Sequence, residues 1–238
     1  MTETALESLT LGKPPRRFFM TLRDIAFWVR SARADATLAR FRTSQEAGPA
    51  FDQLYGATHD PFGATLPQFR YQRQKYETLI SILPFRPYRE VLDVGCGLGV
   101  FARCLAPHAE HVLGIDISEA AVRGARHLSR EFANIEYRRS DLAQFAGTPA
   151  RYDLIVLADT LYYLSPLTDA VVDGIARQMA ELLVPGGLLM LVNHFFFAID
   201  PPSRMTRRIH DRFIASPDLA LKSEHRRAFY LSSIFARP

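Results

Sequence analysis

Val91-Leu92-Asp93-Val94-Gly95-Cys96-Gly97-Leu98-Gly99 is the stretch around which the chain is organised. Its apolar run, Val91, Leu92 and Val94, reads as a buried parallel strand. Three glycines at alternate positions, Gly95, Gly97 and Gly99, let the backbone turn sharply and approach a ligand with no Cβ in the way. Helical spacing follows at Leu98, Phe101, Ala102 and Leu105. A strand, a glycine loop and a helix in this order are how an open α/β sheet presents a nucleotide-like ligand at the carboxyl end of its first strand.

The spacing narrows the ligand. A dinucleotide fingerprint spaces its glycines G-x-G-x-x-G, so that a helix N-terminus receives a pyrophosphate. Here the pattern is Asp-x-Gly-x-Gly-x-Gly, with Asp93 two residues before the first glycine. An acid there is badly placed for phosphate and well placed for a positively charged amino group. The pattern resembles the first motif of the class I S-adenosylmethionine-dependent methyltransferases, whose cofactor carries an amino acid and a sulfonium but no phosphate. By that resemblance Asp93, Gly95, Cys96, Gly97 and Gly99 are cofactor-binding residues. On the loop alone NAD remains a rival.

The remaining composition is that of a soluble globular protein. The 238 residues suffice for one large core with decoration; 48 % are hydrophobic and 23 % charged, with a net charge of +4. The basic residues are scattered, which reads as a solvated surface, with a polyanion or membrane partner as the alternative. No recognisable nucleic-acid module accompanies them. Two cysteines, Cys96 and Cys104, give no disulfide framework and suit a reducing cytoplasm. Nothing reads as a signal peptide or spanning helix, because Arg23 and Asp24 break the stretch from Phe18 to Val29.

In chain order, residues 1 to about 15 read as a loose polar tail. Phe18 to Phe41 reads as a basic helical arm, packed on the core or on another subunit, with Gly48-Pro49 as its end. A membrane-surface helix would show the same arginines, Trp28 and phenylalanines. His59-Asp60-Pro61-Phe62-Gly63 is a turn, and the amphipathic stretch Tyr71 to Leu83, stopped by Pro84, is expected at the mouth of the site. From there strands Glu90–Val94, Val112–Ile115, Ile135–Arg138, Asp153–Leu157 and Leu188–Asn193 alternate with helices over Gly99–Ala106, Ser118–Phe132 and Thr168–Leu183. Ser118 and Glu119 supply an N-cap and a first-turn acid, and Pro185-Gly186-Gly187 reads as the turn into the fifth strand. A basic helix, Ser203–Ala215, precedes two strands near Leu219–Glu224 and Phe229–Phe235. The expected fold is a doubly wound, mostly parallel Rossmann-like methyltransferase sheet with an antiparallel C-terminal edge. Its expected units are a tail and arm (1–50), a helical lid (51–84) and a cofactor-binding core (85–238).

Asp116 ends the second strand, about 20 residues beyond the loop, where an acid accepts both ribose hydroxyls. Ile117 is placed to cover one adenine face, and Asp141 with Leu142 to read the adenine edge. Asp93, Asp116 and Asp141 at three successive strand ends resemble the successive cofactor-binding motifs of class I methyltransferases over residues 88 to 195. Ala158 and, by resemblance alone, Tyr71 complete the expected cofactor contacts.

Asp60-Pro61-Phe62, Tyr71 to Tyr76 and Leu157-Ala158-Asp159-Thr160-Leu161-Tyr162-Tyr163-Leu164 narrow the likeness to the nodulation protein S group, over residues 58 to 195. Those enzymes N-methylate the free amine of a partly deacetylated chitooligosaccharide. The chain departs from them in its long basic arm, in Phe62 for a usual Trp and in Asp159 for a usual Glu. The resemblance implies an S-adenosylmethionine-dependent N-methyltransferase of an amine on a sugar or glycan-like acceptor.

Methyl transfer is an in-line displacement that depends on positioning in a dry pocket. An amine must only lose its proton before attack, whereas an alcohol needs a general base or a metal. Asp159 is the candidate partner of an amine and His194 the candidate base; His59, Tyr162 and Tyr163 are candidate acceptor contacts. One of the two tyrosines is expected to wall the pocket while the other packs. No cluster has metal-ligand spacing, so no metal is expected. The alternatives are O-methylation of a natural-product hydroxyl with His194 as base, and a non-catalytic S-adenosylmethionine-binding regulatory protein.

Overall fold

Side chains alternate between two apolar faces along each central strand, and helices cover both. A computed structural model describes residues 22–149, 151–196, 199–227 and 229–238, with the backbone alone at residues 22–24 and 70. Strand β1 (Tyr88–Val94) pairs in parallel with β2 (Ala109–Asp116) and β4 (Tyr152–Ala158). Outside them lie β3 (Ile135–Arg139) and β5 (Leu183–Phe195), also parallel. The antiparallel strands β6 (Ala220–Arg227) and β7 (Phe229–Ala236) complete the order β3-β2-β1-β4-β5-β7-β6. The expected sheet, with its antiparallel edge, is the one that forms.

Val91, Val112, Leu154, Val156 and Met190 share a cluster with Leu79 of α3 (Arg70–Ser81), Phe101 of α4 (Val100–Leu105) and Val122 of α5 (Glu119–Leu128). Leu92, Val94, Ile115, Ile155 and Leu157 face the other way, onto Ile175 and Met179 of α6 (Asp169–Leu182) and Phe213 of α7 (Pro201–Ile214). Each fully buried side chain of this size contributes about 1.5–3 kcal/mol, so a one-residue register slip that exchanged the faces would be prohibitive. A smaller cluster, Leu38, Ala50, Phe51 and Leu54, joins α1 (Leu22–Phe41) to α2 (Ala47–Ala57). Ser118 caps α5 as expected, accepting from Ala121 N at 3.1 Å.

Three local expectations change. Gly48-Pro49 does not end the arm: α1 stops at Phe41, and the pair lies in the first turn of α2. Proline is tolerated there because first-turn N–H groups have no helical partner. Pro185-Gly186-Gly187 does not precede the fifth strand but lies within it. Tyr152 pairs with Leu183 and Leu154 with Leu188, so the segment steps out of the ladder as a bulge. Gly186, at φ 74°, donates its N–H to Arg237 O at 2.9 Å, and Arg237 N donates to Gly187 O at 3.0 Å. Helix α5 ends at Leu128, short of Phe132. The expected tail and the first residues of the arm, 1–21, lie outside the described residues. No helix among the described residues is long and apolar enough to cross a membrane.

Candidate active site

The sheet order brings β1 beside β4, and the crevice at their carboxyl ends is where open α/β sheets hold ligands. Gly95 N and Cys96 N both donate to Ile115 O, at 2.8 and 3.0 Å, and so pin the glycine loop onto β2. Gly95 has φ 72°, and a Cβ there would meet Thr160 Oγ1 at 2.3 Å. Thr160 itself donates to Val94 O at 2.9 Å, tying the loop after β4 to the end of β1. Asp116 then fixes the loop from the other side: its Oδ2 accepts from Gly97 N and its Oδ1 from Ser118 N, each at 2.9 Å. Burial raises the Asp116 carboxyl above the usual range, opposed by those two N–H groups.

A cavity of about 490 Å³ opens above the loop, a size suited to a small-molecule ligand. Gly95, Cys96, Gly97, Asp116, Ile117, Asp141, Leu142, Tyr71, Ala158, Asp159, Tyr162, Tyr163 and His194 all line its wall. These are the residues expected from the sequence, apart from three.

Asp93 is 3 % exposed and lies outside the cavity wall. Its Oδ2 is buried without a partner, and burial, reinforced by the charge of Asp116, pushes its carboxyl up to about 7. Asp93, expected as a cofactor contact, is therefore no part of the cavity wall. Gly99 does not line the cavity either. It sits at φ 69°, and a Cβ there would lie 2.1 Å from Tyr137 Oη of β3, so this glycine serves the close approach of the start of α4 to β3. His59 is exposed and outside the cavity, because the turn buries its neighbour instead. Asp60 is 7 % exposed and accepts from Ala64 N at 2.9 Å, Thr65 N at 2.8 Å and Thr65 Oγ1 at 2.7 Å. That carboxylate holds the turn and turns His59 to solvent.

The cavity wall contains an ion pair that the sequence reading did not identify. Lys75 Nζ donates to Asp159 Oδ2, with the Lys75 side chain 2 % and the Asp159 side chain 25 % exposed. Nζ also lies 5.4 Å over the Tyr230 ring. Asp159 adopts φ 54°, a left-handed conformation that aspartate tolerates better than most residues, and its N–H is anchored to Val192 O at 2.8 Å. Its second oxygen, Oδ1, is buried without a partner. Lys75 was legible in one respect: Tyr71, Lys75 and Leu79 form an i, i+4, i+8 stripe that is buried throughout.

The arm contributes as well. Asp35 of α1 lines the cavity and accepts from Tyr163 Oη at 2.7 Å, while burial raises its carboxyl. Arg42 Nη1 donates to Tyr163 O at 2.6 Å. Tyr162 meets the His194 ring edge-to-face at 4.4 Å, and both tyrosines line the cavity, so neither is merely packing. Burial lowers His194, with Lys75 adding to the effect against Asp159 and Asp35, so the imidazole is neutral at pH 7. Tyr71 belongs to an aromatic wall with Phe27 at 5.3 Å and Trp28 at 4.8 Å.

The residues fit an adenosyl amino-acid ligand. Asp116 keeps lone pairs beyond its two backbone bonds for a pair of hydroxyls, and Asp93 Oδ2, on the strand that leads into the glycine loop, is a buried oxygen without a partner. Among the described residues no group of three or more His, Cys, Asp or Glu side chains is arranged to hold a metal.

Residues 91–187 match the methyltransferase domain family. Over these residues the chain is similar to class I methyltransferases. The chain is 31 % identical over 134 residues to nodulation protein S of Rhizobium tropici, covering 56 % of this chain and 55 % of that protein. It is 34 % identical over 113 residues to the ubiquinone biosynthesis O-methyltransferase of Acinetobacter baylyi, covering 46 % and 43 %. The chain thus spans about half the length of these curated relatives. Its fold matches that of the N-methyltransferase NodS of Bradyrhizobium japonicum WM9, solved with S-adenosyl-L-homocysteine, at a TM-score of 0.65 and 21 % identity. That match covers 88 % of this chain and 98 % of the other, and is a likeness of fold.

Proposed function

We propose that the chain is an S-adenosylmethionine-dependent methyltransferase that N-methylates an amine on a sugar or glycan-like acceptor, in the cytoplasm. One observation carries the reading. A single cavity joins the loop and strand-end acids Asp116 and Asp141 to a second pole made of Lys75, Asp159, His194 and aromatic walls. S-adenosylmethionine, when bound, supplies an electrophilic methyl group.

In this reading Asp116 holds the ribose, Ile117 and Leu142 cover the adenine and Asp141 reads its amino edge. Asp141 also accepts from Ala143 N at 2.9 Å, which leaves its second oxygen for that role. Trp28, Tyr71 and Tyr162 exclude water and offer ring faces of the kind that stack on sugars. Trp28 Nε1, Gln72 Oε1 and Asp159 Oδ1 are buried polar atoms without partners, all on residues of the cavity wall. They suit an acceptor that carries several donors and acceptors. Asp159 receives an N–H of the amine and fixes its lone pair for in-line attack. Of the units expected at 1–50, 51–84 and 85–238, the described residues of the first two serve as arm and lid to a catalytic core in the third.

A second reading is favoured by His194. Burial keeps its imidazole neutral at the same pole, as a general base for a hydroxyl acceptor requires. Transfer of label from S-adenosylmethionine to paired glucosamine oligosaccharides, amine free or acetylated, separates the two. Labelling of the free-amine member alone supports N-methylation. Labelling of both moves the chemistry to a hydroxyl, and labelling of neither overturns the glycan-amine acceptor.

A further inference from the structure

Within the reading just given, the Lys75–Asp159 pair sets the charge that the acceptor carries when it binds. An acid facing a methyl donor looks at first like a receptor for an ammonium ion. Here that acid is already matched, because Lys75 Nζ takes Oδ2 and is itself 2 % exposed over Tyr230. A buried lysine without its carboxylate would be an uncompensated charge, so an incoming ammonium cannot displace it cheaply.

Two further carboxylates act on this pole, and both already have donors: Asp35 accepts from Tyr163 Oη and Asp200 from Ser203 N. From α1, Asp35 is raised by burial and is bound by Tyr163 Oη. From β5, His194 is held neutral. Tyr76 of α3 and Tyr162 and Tyr163 of the turn after β4 are all pushed up by burial and stay protonated, and Tyr230 of β7 presents its ring to Lys75. What remains unmatched is Asp159 Oδ1, which can accept one hydrogen from a neutral N–H.

We propose that Lys75 is a positioning residue that neutralises Asp159, so that the site takes its acceptor amine in the uncharged form. The lone pair needed for attack is then present on binding, and the proton is left in solvent before the amine enters the cavity.

Calorimetry on the protein loaded with S-adenosyl-L-homocysteine tests this without turnover. The free-amine glucosamine oligosaccharide is titrated one pH unit below its own amine pKa, in buffers of different ionisation enthalpy, with the acetylated oligosaccharide as control. Wild type should release nearly one proton per amine bound. Lys75→Gln, which leaves Asp159 unmatched, should bind the ammonium with little or no release, and Lys75→Arg should restore it. Asp159→Asn should bind more weakly and still release a proton, and the wild-type measurement itself keeps the test alive if either variant fails to fold. Wild-type binding without proton release overturns the proposal and leaves the glycan-amine reading intact. Unchanged release in a folded Lys75→Gln overturns the role of Lys75. No binding of the oligosaccharide at any pH overturns both readings.

Discussion

Replacing Asp116 by alanine removes the two acceptors through which β2 holds the glycine loop. Oδ2 takes the Gly97 N–H and Oδ1 the Ser118 N–H, each at 2.9 Å, and the remaining lone pairs are those assigned to the ribose hydroxyls. Hydrogen bonds to a charged group contribute about 1.5–3 kcal/mol. At about 1.4 kcal/mol per tenfold, the Kd for S-adenosyl-L-homocysteine should rise about 10- to 150-fold. The same change leaves two N–H groups without partners, at about 1–3 kcal/mol for each one that stays buried, so the melting temperature should fall too. Asp116→Asn, which keeps one acceptor oxygen, should lie between the two in both measurements. Titration calorimetry on each variant, paired with thermal melts, separates lost affinity from lost fold. A folded Asp116→Ala that binds within about twofold of wild type would refute the placement of the ribose, since RT ln 2 is well below any charged hydrogen bond.

Gly99→Ala should destabilise the protein by about 2–5 kcal/mol, from a left-handed non-glycine residue together with overpacking against Tyr137 Oη at 2.1 Å. Tyr137→Phe should recover part of the loss in denaturant melts, and a Gly99→Ala protein as stable as wild type would contradict the packing. Asp93 predicts a pH dependence of cofactor affinity. Its carboxyl sits at about 7 in the cofactor-free protein, and the cofactor's ammonium favours the anion. S-adenosylmethionine should therefore bind with proton release and lose up to about tenfold in affinity per pH unit below that value. Asp93→Asn should flatten the profile. Between 3.8 and about 7 the folded cofactor-free state holds a proton that the unfolded chain has lost, so this group's contribution to stability falls as pH rises through that window. Asp159→Asn should leave cofactor affinity nearly unchanged while lowering kcat; loss of cofactor binding would make Asp159 structural.

Most of the fold was legible because a parallel sheet writes itself as apolar runs ending in loop acids. Asp116 and Asp141 could be placed by strand ends alone. Asp93 and Gly99 belong to the same motif yet lie outside the cavity wall, because a motif does not say which of its residues face the cavity and which face the elements packed behind it. His59 failed for a related reason: a turn shows where the chain bends, not which neighbour it buries, and Asp60 takes the interior with three hydrogen bonds. Lys75 and Asp159 are 84 residues apart, and local spacing cannot pair them, although a lysine on a buried i, i+4 stripe was a signal. Asp35 reached the site because α1 folds across it, which arm composition does not reveal. Pro185-Gly186-Gly187 reads as a turn in any sequence, and only the partner ladder and Arg237 show it to be a bulge.

The central claim is that the cavity above the glycine loop is an S-adenosylmethionine site and not a dinucleotide site. Titration of the purified chain with S-adenosyl-L-homocysteine, and separately with NAD, addresses it directly. One S-adenosyl-L-homocysteine bound per chain, undisturbed by excess NAD, is the predicted result. Saturable binding of NAD, with none of S-adenosyl-L-homocysteine, would contradict it.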